Sequence, residues 1–402
     1  MTADDQPAAG GAPAHRICTA SQTLSRVEPH LKNFGITRVA RHTGLDSLGI
    51  PVWCAYAPNS RSIVVAQGKG VTDTDAKASA VMEALERAVA GQPHVDIITD
   101  TMNGLTDRGR SADPLPGLIA RGQGDISPDE TIEWVTGTNL LNGEEIFVPR
   151  EAVILDRTRP NNRYWMSSDG LASGNNREEA ILHGLLERIE RDAYTLWQVS
   201  PANDRQARCV DAPLYGGIEM ADILARVEKA GLILRLFDIT SNLGIPCFTA
   251  LLGPRDALTD KPPRYVEVTH GSGAHLSPSL AALRAVTEAA QSRLTYISGA
   301  RDDVSAQTYR RPVGNETRSL LACKPQTITA RPPAPVLPIA SMITHLLDRL
   351  RQASISMAIA VSLSKDEWPF SVVKVLVPAL ENPEGHRLRR FGARAIARTL
   401  WS

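Results

Sequence analysis

An acidic pattern that occurs twice constrains this chain more than any other feature. Residues 79–87 have the pattern S-x₃-E-x₂-E-R, and residues 179–191 have E-x₃-H-x₃-E-x₂-E-R. Both segments have the period of an α-helix. At about 100° per residue, the acidic side chains of each fall within roughly 60 to 80° of arc. Each predicted helix therefore carries a stripe of carboxylates on one face.

Two facing stripes of this kind would be stable only if cations neutralised them. Carboxylate oxygens suit Mg²⁺, which in proteins usually keeps a few carboxylates and takes phosphate oxygens from a substrate. On a single helix, solvated Glu–Arg pairs on the surface would be the commoner explanation. The pattern recurs with the same spacing, each time after a glycine-rich segment, and this favours a shared site for Mg²⁺ and a nucleotide.

The charge and hydropathy of the chain exclude several kinds of partner. The 402 residues contain 44 Lys and Arg against 44 Asp and Glu, so the net charge is zero and no nucleic-acid surface is expected. No apolar run has the length of a transmembrane helix, so we expect no membrane span. Residues 1–15 lack the features of a signal peptide and predict a disordered tail.

The cysteines indicate free thiols. Their number is odd and no C-x₂-C pair is present, which argues against a structural zinc site. Unpaired thiols fit a reducing cytosol, and we expect a cytoplasmic location. The residues are Cys18, Cys54, Cys209, Cys247 and Cys323.

The first half of the chain predicts one plan twice: paired strands, a glycine-rich loop, then an acidic helix. The loops are Gly68-Lys69-Gly70 and the small-residue segment 167–176, and the helices cover about 73–91 and 177–197. We interpret this as an internal quasi-repeat. Because paired strands separate the helices, we expect an α+β fold with largely antiparallel sheets packed against helices.

Three further groups of residues are candidates for ligand binding. Asn175 lies at a predicted helix start, where it could cap the helix or bind an anion beside the backbone amides. Arg284, Glu288 and Gln291 share one helical face, which suits phosphate binding, although a plain surface ion pair has the same spacing. Lys69 lies between two glycines, but the Walker pattern G-x₄-G-K-[ST] is absent.

Three ordered motifs resemble the YcaO superfamily. They are the S-x₃-E-x₂-E-R pattern, the segment 170–193 (GLASGNNREEAILHGLLERIERDA), and residues 284–293 together with Arg301-Asp302-Asp303. The resemblance spans roughly residues 16–395. It implies a YcaO-like fold and an enzyme that binds ATP without a Walker motif. Such enzymes use ATP and Mg²⁺ to phosphorylate a peptide backbone amide oxygen, after which a nucleophile attacks the carbonyl carbon.

The resemblance also implies two sets of site residues, whereas the sequence shows no obvious general base. The first set would hold Mg²⁺ and the second would surround ATP. The metal set is Glu83, Glu86, Glu187 and Glu190, and the ATP set is Arg16, Thr23, Ser79, Asn175, Glu179, Arg191, Arg284 and Glu288.

Three features depart from the pattern of many family members. Ala172 stands where many have serine, and His183 where many have glutamine. Both leave nucleotide binding expected, with His183 either packing through a hydrogen bond or contacting the nucleotide. Azoline-forming members often end in P-x-P-x-P, whereas this chain ends in residues 397–402, ARTLWS, and its proline-rich run lies at 332–338.

The resemblance therefore favours thioamide formation, from sulfide and with a separate TfuA-like partner, as a modification of ribosomally made peptides. One alternative is an azoline-forming cyclodehydratase with a partner protein. Another is an accessory factor for ribosomal protein methylthiolation. Because too few residues precede Arg16 for a fused peptide-recognition domain, we expect a separate protein to bind the substrate or deliver sulfur.

We expect one YcaO-type ATP-binding catalytic domain over 16–395. Surface insertions are predicted near 101–128 and 301–338, where Gly, Asp, Ser and Pro are frequent, and a C-terminal tail is predicted over 396–402. The resemblance is also compatible with a homodimer.

Overall fold

A computed structural model describes residues 15–159, 162–258, 262–326, 337–382 and 391–400. The predicted tail up to residue 14 and most of the proline-rich run at 332–338 lie outside these residues. Across the described ranges, no helix is both long enough and apolar enough to cross a bilayer.

Helices and strands are mixed along the described chain. In order, the helices are α1 (Ala20–Val27), α2 (Asp73–Gly91), α3 (Met102–Asp107), α4 (Arg177–Gln198), α5 (Ala202–Ala207), α6 (Gly217–Lys229), α7 (Pro278–Ser298), α8 (Asn315–Ala322), α9 (Ile339–Gln352) and α10 (Ala393–Leu400). The strands are β1 (Arg38–Arg41), β2 (Val52–Tyr56), β3 (Val65–Lys69), β4 (Ile97–Asp100), β5 (Ile132–Asn139), β6 (Glu145–Pro149), β7 (Leu171–Gly174), β8 (Cys209–Val210), β9 (Leu232–Asp238), β10 (Cys247–Pro254), β11 (Thr269–Ala274), β12 (Ile359–Ser362) and β13 (Ser371–Leu376).

The strands form three sheets, and each pairing between these strands is antiparallel. Their orders are β1-β2-β3, β11-β10-β9-β8 and β4-β5-β12-β13-β7, with β6 on the free side of β5. Mixed helices and antiparallel sheets confirm the predicted α+β class.

A strand followed directly by a long helix occurs three times, so the quasi-repeat extends beyond the predicted two copies. Helix α2 follows β3, α4 follows β7, and α7 follows β11. Each of these helices packs against the sheet that contains its preceding strand, which gives three similar units of one helix on one sheet. The apolar faces of α2 and α4 lie in two separate large clusters of buried side chains.

The small residues of these strands allow helix and strand backbones to touch. A Cβ atom added at Gly68 would lie 2.0 Å from the Ala80 backbone nitrogen, and one at Gly273 would lie 2.3 Å from the Ala281 carbonyl oxygen. Only glycine fits such contacts. The prediction of loops at 68–70 and 167–176 is therefore wrong in part, because Gly68 and Lys69 end β3 and residues 171–174 form β7.

The expected peripheral segments contain structure of their own. Within 101–128, helix α3 begins after Thr101, and both Leu105 and Leu115 are fully buried. Within 301–338 lies α8, and residues 396–400 of the expected tail belong to α10. The proposed domain bounds themselves stay a prediction.

Candidate functional site

The Asn176 side chain caps the start of α4, which leaves the side chain of the neighbouring Asn175 available for other contacts. The Asn176 side chain accepts a hydrogen bond from the Glu179 backbone nitrogen at 2.9 Å, which satisfies one amide of the first turn. Of the two roles considered for Asn175, capping is therefore wrong. Its side chain instead donates to both carboxylate oxygens of Glu179, at 3.1 and 3.3 Å.

The carboxylate stripes of α2 and α4 lie close enough for their charges to interact. Glu86 is 8% exposed, and burial raises its pKa well above the usual range, with further increases from Glu83 and Glu187. The Ser173 hydroxyl donates to Glu86 at 3.2 Å. Burial also raises the pKa of Glu187, whose Oε2 accepts a hydrogen bond from the Gly170 nitrogen at 3.0 Å.

Glu190 connects these carboxylates with the one on α7. Burial and the charge of Glu288 raise the pKa of Glu190 to about 7. Burial would raise the pKa of Glu288 too, but Lys69 and Arg191 lower it. Three helices thus contribute acidic groups to one region, and burial raises the pKa values of several of those groups.

Arginine and lysine side chains surround the acidic groups. Arg191 lies 3.5 Å from Glu187 and 3.7 Å from Asp169, so it braces these two acids. Arg87 pairs with Glu83 at 2.8 Å on the same face of α2. These ion pairs orient the carboxylates. They neutralise the buried acids only in part, and the pKa values of those acids stay raised.

Lys69 contributes a cation to the site, although it belongs to neither predicted set of site residues. It ends β3 and its Nζ pairs with the Glu288 carboxylate across 219 positions of sequence. Gly68 and Gly70 on either side press against α2, so alternation along the strand directs Lys69 to the opposite face, towards α7. The two flanking glycines were the available signal.

A second network holds the first described residues against α4. The Arg16 guanidinium contacts the Glu179 carboxylate at 2.8 Å, and the Thr23 hydroxyl donates to the Asn175 side chain at 3.0 Å. The structure thereby brings four predicted ATP residues into contact. Ser79 lies half-buried on α2, one turn before Glu83.

Arg284 joins α7 to α4 beside this network. Its NH2 lies 3.2 Å from Nε2 of His183, while Nε has no hydrogen-bond partner among the described residues and is buried. Burial and the charge of Arg284 lower the pKa of His183 well below the usual range, so the ring is neutral and can accept from the guanidinium. The packing role considered for His183 is thus present in the structure.

The donor set fits Mg²⁺ shared with a polyphosphate. In the part of the chain that the structure describes, no three acidic, histidine or cysteine groups are arranged to hold a metal ion by themselves. Mg²⁺ commonly takes only one or two protein carboxylates and completes its shell with water and phosphate. The raised pKa values of Glu86, Glu187 and Glu190 agree with acids that would bind a cation. The Arg284 Nε, which has no hydrogen-bond partner among the described residues, agrees with a donor that would bind an anion.

Comparison with known sequences identifies a family. The family model described as YcaO cyclodehydratase, ATP- and Mg²⁺-binding, matches residues 67–381. An uncharacterized protein in the tfuA 3′ region of Rhizobium leguminosarum bv. trifolii is 38% identical over 390 residues, covering 95% of this chain and 92% of that protein. An uncharacterized protein of Methanothermobacter thermautotrophicus is 33% identical, covering 92% and 97% of the two chains.

Solved structures share the fold. YcaO from Methanopyrus kandleri, bound with AMPPCP and Mg²⁺, superposes with a TM-score of 0.71 at 21% identity, covering 92% of this chain and 94% of that one. A heterocyclase in complex with substrate and cofactor gives a TM-score of 0.74 at 22% identity. That match covers 97% of this chain and 55% of the heterocyclase chain. The predicted cofactors, ATP and Mg²⁺, are those in the description of the matching family. The sequence match and the shared architecture together establish that the chain belongs to the YcaO family.

Proposed function

We propose that this protein uses ATP and Mg²⁺ to activate a backbone amide of a peptide or protein, and that sulfide then converts the amide into a thioamide. The observation that carries the proposal is the facing of Glu86 and Glu187, with Glu190 and Glu288 beside them. Such buried acids, ringed by arginines, suit a metal-bound triphosphate. The relative in the tfuA 3′ region supports the thioamide branch.

The proposed reaction is balanced without a redox step. The amide oxygen bonds to the γ-phosphorus of ATP as the bond to the bridging oxygen breaks and ADP leaves. Hydrosulfide adds to the carbonyl carbon, and the former amide oxygen leaves as phosphate, which keeps the hydrosulfide proton. The products are a thioamide, ADP and hydrogen phosphate.

Some of the site residues would hold the metal ion, and others would orient those residues. Glu83, Glu86, Glu187 and Glu190 would hold Mg²⁺, which when bound neutralises charge on the transferring phosphoryl group. Arg191 keeps Glu187 directed into the site through its contact at 3.5 Å.

A second group of side chains would bind the nucleotide. Arg284 and Arg16 supply cationic donors for phosphate, while Asn175 and Glu179 form a buried polar wall beside them. Because an amide oxygen is a poor nucleophile, holding it in line with the γ-phosphorus supplies much of the rate. Ser79 and Glu288 would complete the shell of the nucleotide, and Thr23 would orient Asn175.

A separate protein would complete the system. We propose a TfuA-like partner that delivers sulfur or presents the substrate, because the Rhizobium relative lies in the tfuA 3′ region. The protein would act as part of peptide backbone modification on ribosomally made substrates.

A cyclodehydratase is the second candidate. The matching family is described as YcaO cyclodehydratase, so a Cys, Ser or Thr side chain of the substrate could replace sulfide as the nucleophile. The two reactions consume ATP alike but differ in product mass: thioamidation exchanges one oxygen for sulfur, and azoline formation removes one water.

We expect ATP hydrolysis that depends on the peptide substrate and on Mg²⁺. The measurement is ADP release coupled to the intact mass of a candidate peptide encoded beside the gene, with and without sulfide and a TfuA-like protein. A mass gain equal to one oxygen-to-sulfur exchange supports thioamidation, and loss of water supports the cyclodehydratase. ATP binding with no peptide-dependent hydrolysis for any neighbouring peptide would contradict both and favour the accessory role in ribosomal protein methylthiolation.

We expect Mg·ATP to bind more weakly as the pH falls. The pKa of Glu190 is raised to about 7, so the proton competes with the metal below that pH. One such group predicts affinity about tenfold weaker at pH 6 than at pH 8. Calorimetric titrations in two buffers with different ionisation enthalpies would report the expected proton release at pH 7. Affinity that is constant from pH 6 to 8, without proton release, would contradict the prediction.

A further inference from the structure

His275 lies where β11 passes into α7, and its protonation state follows from its contacts. The residue is 4% exposed, and its Nδ1 accepts a hydrogen bond from the Ser277 backbone nitrogen at 2.9 Å. Burial and the nearby cationic side chains lower the pKa of His275 to about 3, so the ring is neutral. Since Nδ1 is the acceptor, the proton of the ring is on Nε2.

The Nε2–H group is a buried donor that lacks an acceptor. Its nitrogen is shielded from solvent and has no hydrogen-bond partner in the described part of the chain. A buried donor is normally satisfied, because the loss of its bond to water costs free energy. An unsatisfied donor next to a binding site therefore suggests an acceptor that arrives with a ligand.

The groups around His275 define the chemistry of that acceptor. Beside burial, the positive charges of Arg284 and Arg16 help to lower the pKa of the His275 ring. The His15 ring packs edge-on against it, with 5.0 Å between centroids. The N-terminus of α7 adds the positive end of a helix dipole. These surroundings favour an acceptor with negative charge.

The neighbours also place His275 beside the proposed nucleotide site. Arg16 contacts Glu179, and Arg284 contacts His183, both on α4. Among the described residues, the Arg284 Nε is a second buried nitrogen without a hydrogen-bond partner. Two such unsatisfied donors would suit the several acceptor oxygens of a phosphate group.

We propose that His275 is a further nucleotide-binding residue, which donates its Nε2–H to a phosphate oxygen of ATP next to Arg16 and Arg284. The inference rests on the proposed function only in requiring that the protein binds ATP. It adds a neutral donor to a phosphate contact otherwise made by arginines.

Two substitutions separate the two nitrogens of the ring. In His275→Asn, the side-chain oxygen can replace Nδ1 as acceptor for the Ser277 nitrogen, but no donor replaces Nε2. In His275→Gln, the longer amide can place its NH₂ near the position of Nε2, but it loses the acceptor for Ser277. A binding role predicts that Asn is the more harmful change for ATP affinity, whereas a purely structural role predicts the reverse.

The test is calorimetric titration of Mg·ATP into the wild type and both variants, with thermal unfolding measured in parallel. We expect His275→Asn to weaken binding by about tenfold to a hundredfold, as for a lost hydrogen bond to a charged group, and His275→Gln to stay within about threefold of the wild type. Inorganic tripolyphosphate, competing against ATP, should show the same ranking of the two variants.

Every other outcome contradicts one part of the proposal. Wild-type affinity in His275→Asn, or equal losses in both variants, removes the binding role of Nε2. A loss seen with ATP but not with tripolyphosphate assigns the donor to ribose or base and overturns the phosphate contact. If the wild type itself does not bind Mg·ATP, the proposed function fails and the inference fails with it.

Discussion

Replacing Glu187 with glutamine is expected to lower Mg·ATP-dependent turnover by about 10³-fold, because a bound Mg²⁺ contributes several kcal/mol and each 1.36 kcal/mol is a factor of ten. Glutamine keeps the shape of the side chain and can still accept from the Gly170 nitrogen, now 3.0 Å from Oε2. It removes the negative charge that faces Glu86. The assay is ADP release at saturating peptide, with the Mg²⁺ concentration varied.

The same variant is expected to be more stable than the wild type when no nucleotide is present. Burial raises the pKa of Glu187, so its ionised form costs folding free energy as the pH rises above the unfolded value. A neutral glutamine removes that cost at pH 7 to 8. A higher unfolding temperature together with lost turnover would show that the acid serves ligand binding, as is common for functional sites.

Glu178→Gln is the matched control, since Glu178 lies exposed in the first turn of the same helix. It should change neither turnover nor stability measurably. Retained turnover in Glu187→Gln would remove Glu187 from the metal set. Lost turnover with a lower unfolding temperature would instead indicate a structural role.

The helices that carry the site were predictable because their pattern is local. Helix α2 was expected over about 73–91 and is Asp73–Gly91, and α4 was expected over 177–197 and is Arg177–Gln198. A period of 3.6 residues places the acids on one face whatever the surroundings. The pKa of Glu86, which burial raises and the charges of Glu83 and Glu187 raise further, agrees with two acidic faces that lie near each other.

The strands that precede these helices were harder to recognise. Segments such as 171–174 and 271–274 consist mainly of Gly, Ala and Ser, which are typical of loops. Here the small side chains let strand and helix backbones touch, and this requirement comes from the tertiary packing. Composition alone cannot distinguish a flexible loop from a strand pressed against a helix.

Pairs distant in sequence were missed for a similar reason. Lys69 and Glu288 are 219 positions apart, and neither belongs to a motif that includes the other. Their contact follows from the packing of β3 against α7, where the Gln291 side chain also donates to the Gln67 carbonyl at 3.1 Å. His275 lies outside the three sequence motifs, and its unsatisfied nitrogen is visible only in three dimensions.

Helix α4 also has a structural face, and it holds the end of the described chain. Asp192 lies two residues beyond Glu190 and is fully buried. It accepts hydrogen bonds from both the Arg394 guanidinium, at 2.8 Å, and the Glu381 backbone nitrogen, at 3.0 Å. The Glu381 carboxylate in turn accepts from the Gly392 and Ala395 nitrogens at the start of α10. These contacts dock α10 on the back of α4.

Arg394→Ala is expected to weaken this docking by about 3 to 5 kcal/mol, because removing one partner of a buried ion pair leaves the other charge uncompensated. The Asp192 side chain is 0% exposed in the pair, against 16% for Arg394, so the carboxylate loses its cation where water does not reach it. The measurements are the urea midpoint of unfolding and the protection of α10 amides from hydrogen exchange.

Arg398→Ala is the matched control on the same helix. Arg398 pairs with Asp204 at 3.6 Å, and the two side chains are 37% and 50% exposed. Solvent screens such a pair, so its loss should cost less than about 1 kcal/mol. Equal effects of the two substitutions would mean that the Asp192–Arg394 pair contributes no more than a surface pair. If the expectation holds, removing the Arg394 partner of Asp192 on the back of α4 lowers stability, whereas the Glu187 substitution on its front raises stability at the expense of turnover. The opposite signs would distinguish a carboxylate held for folding from one held for a ligand.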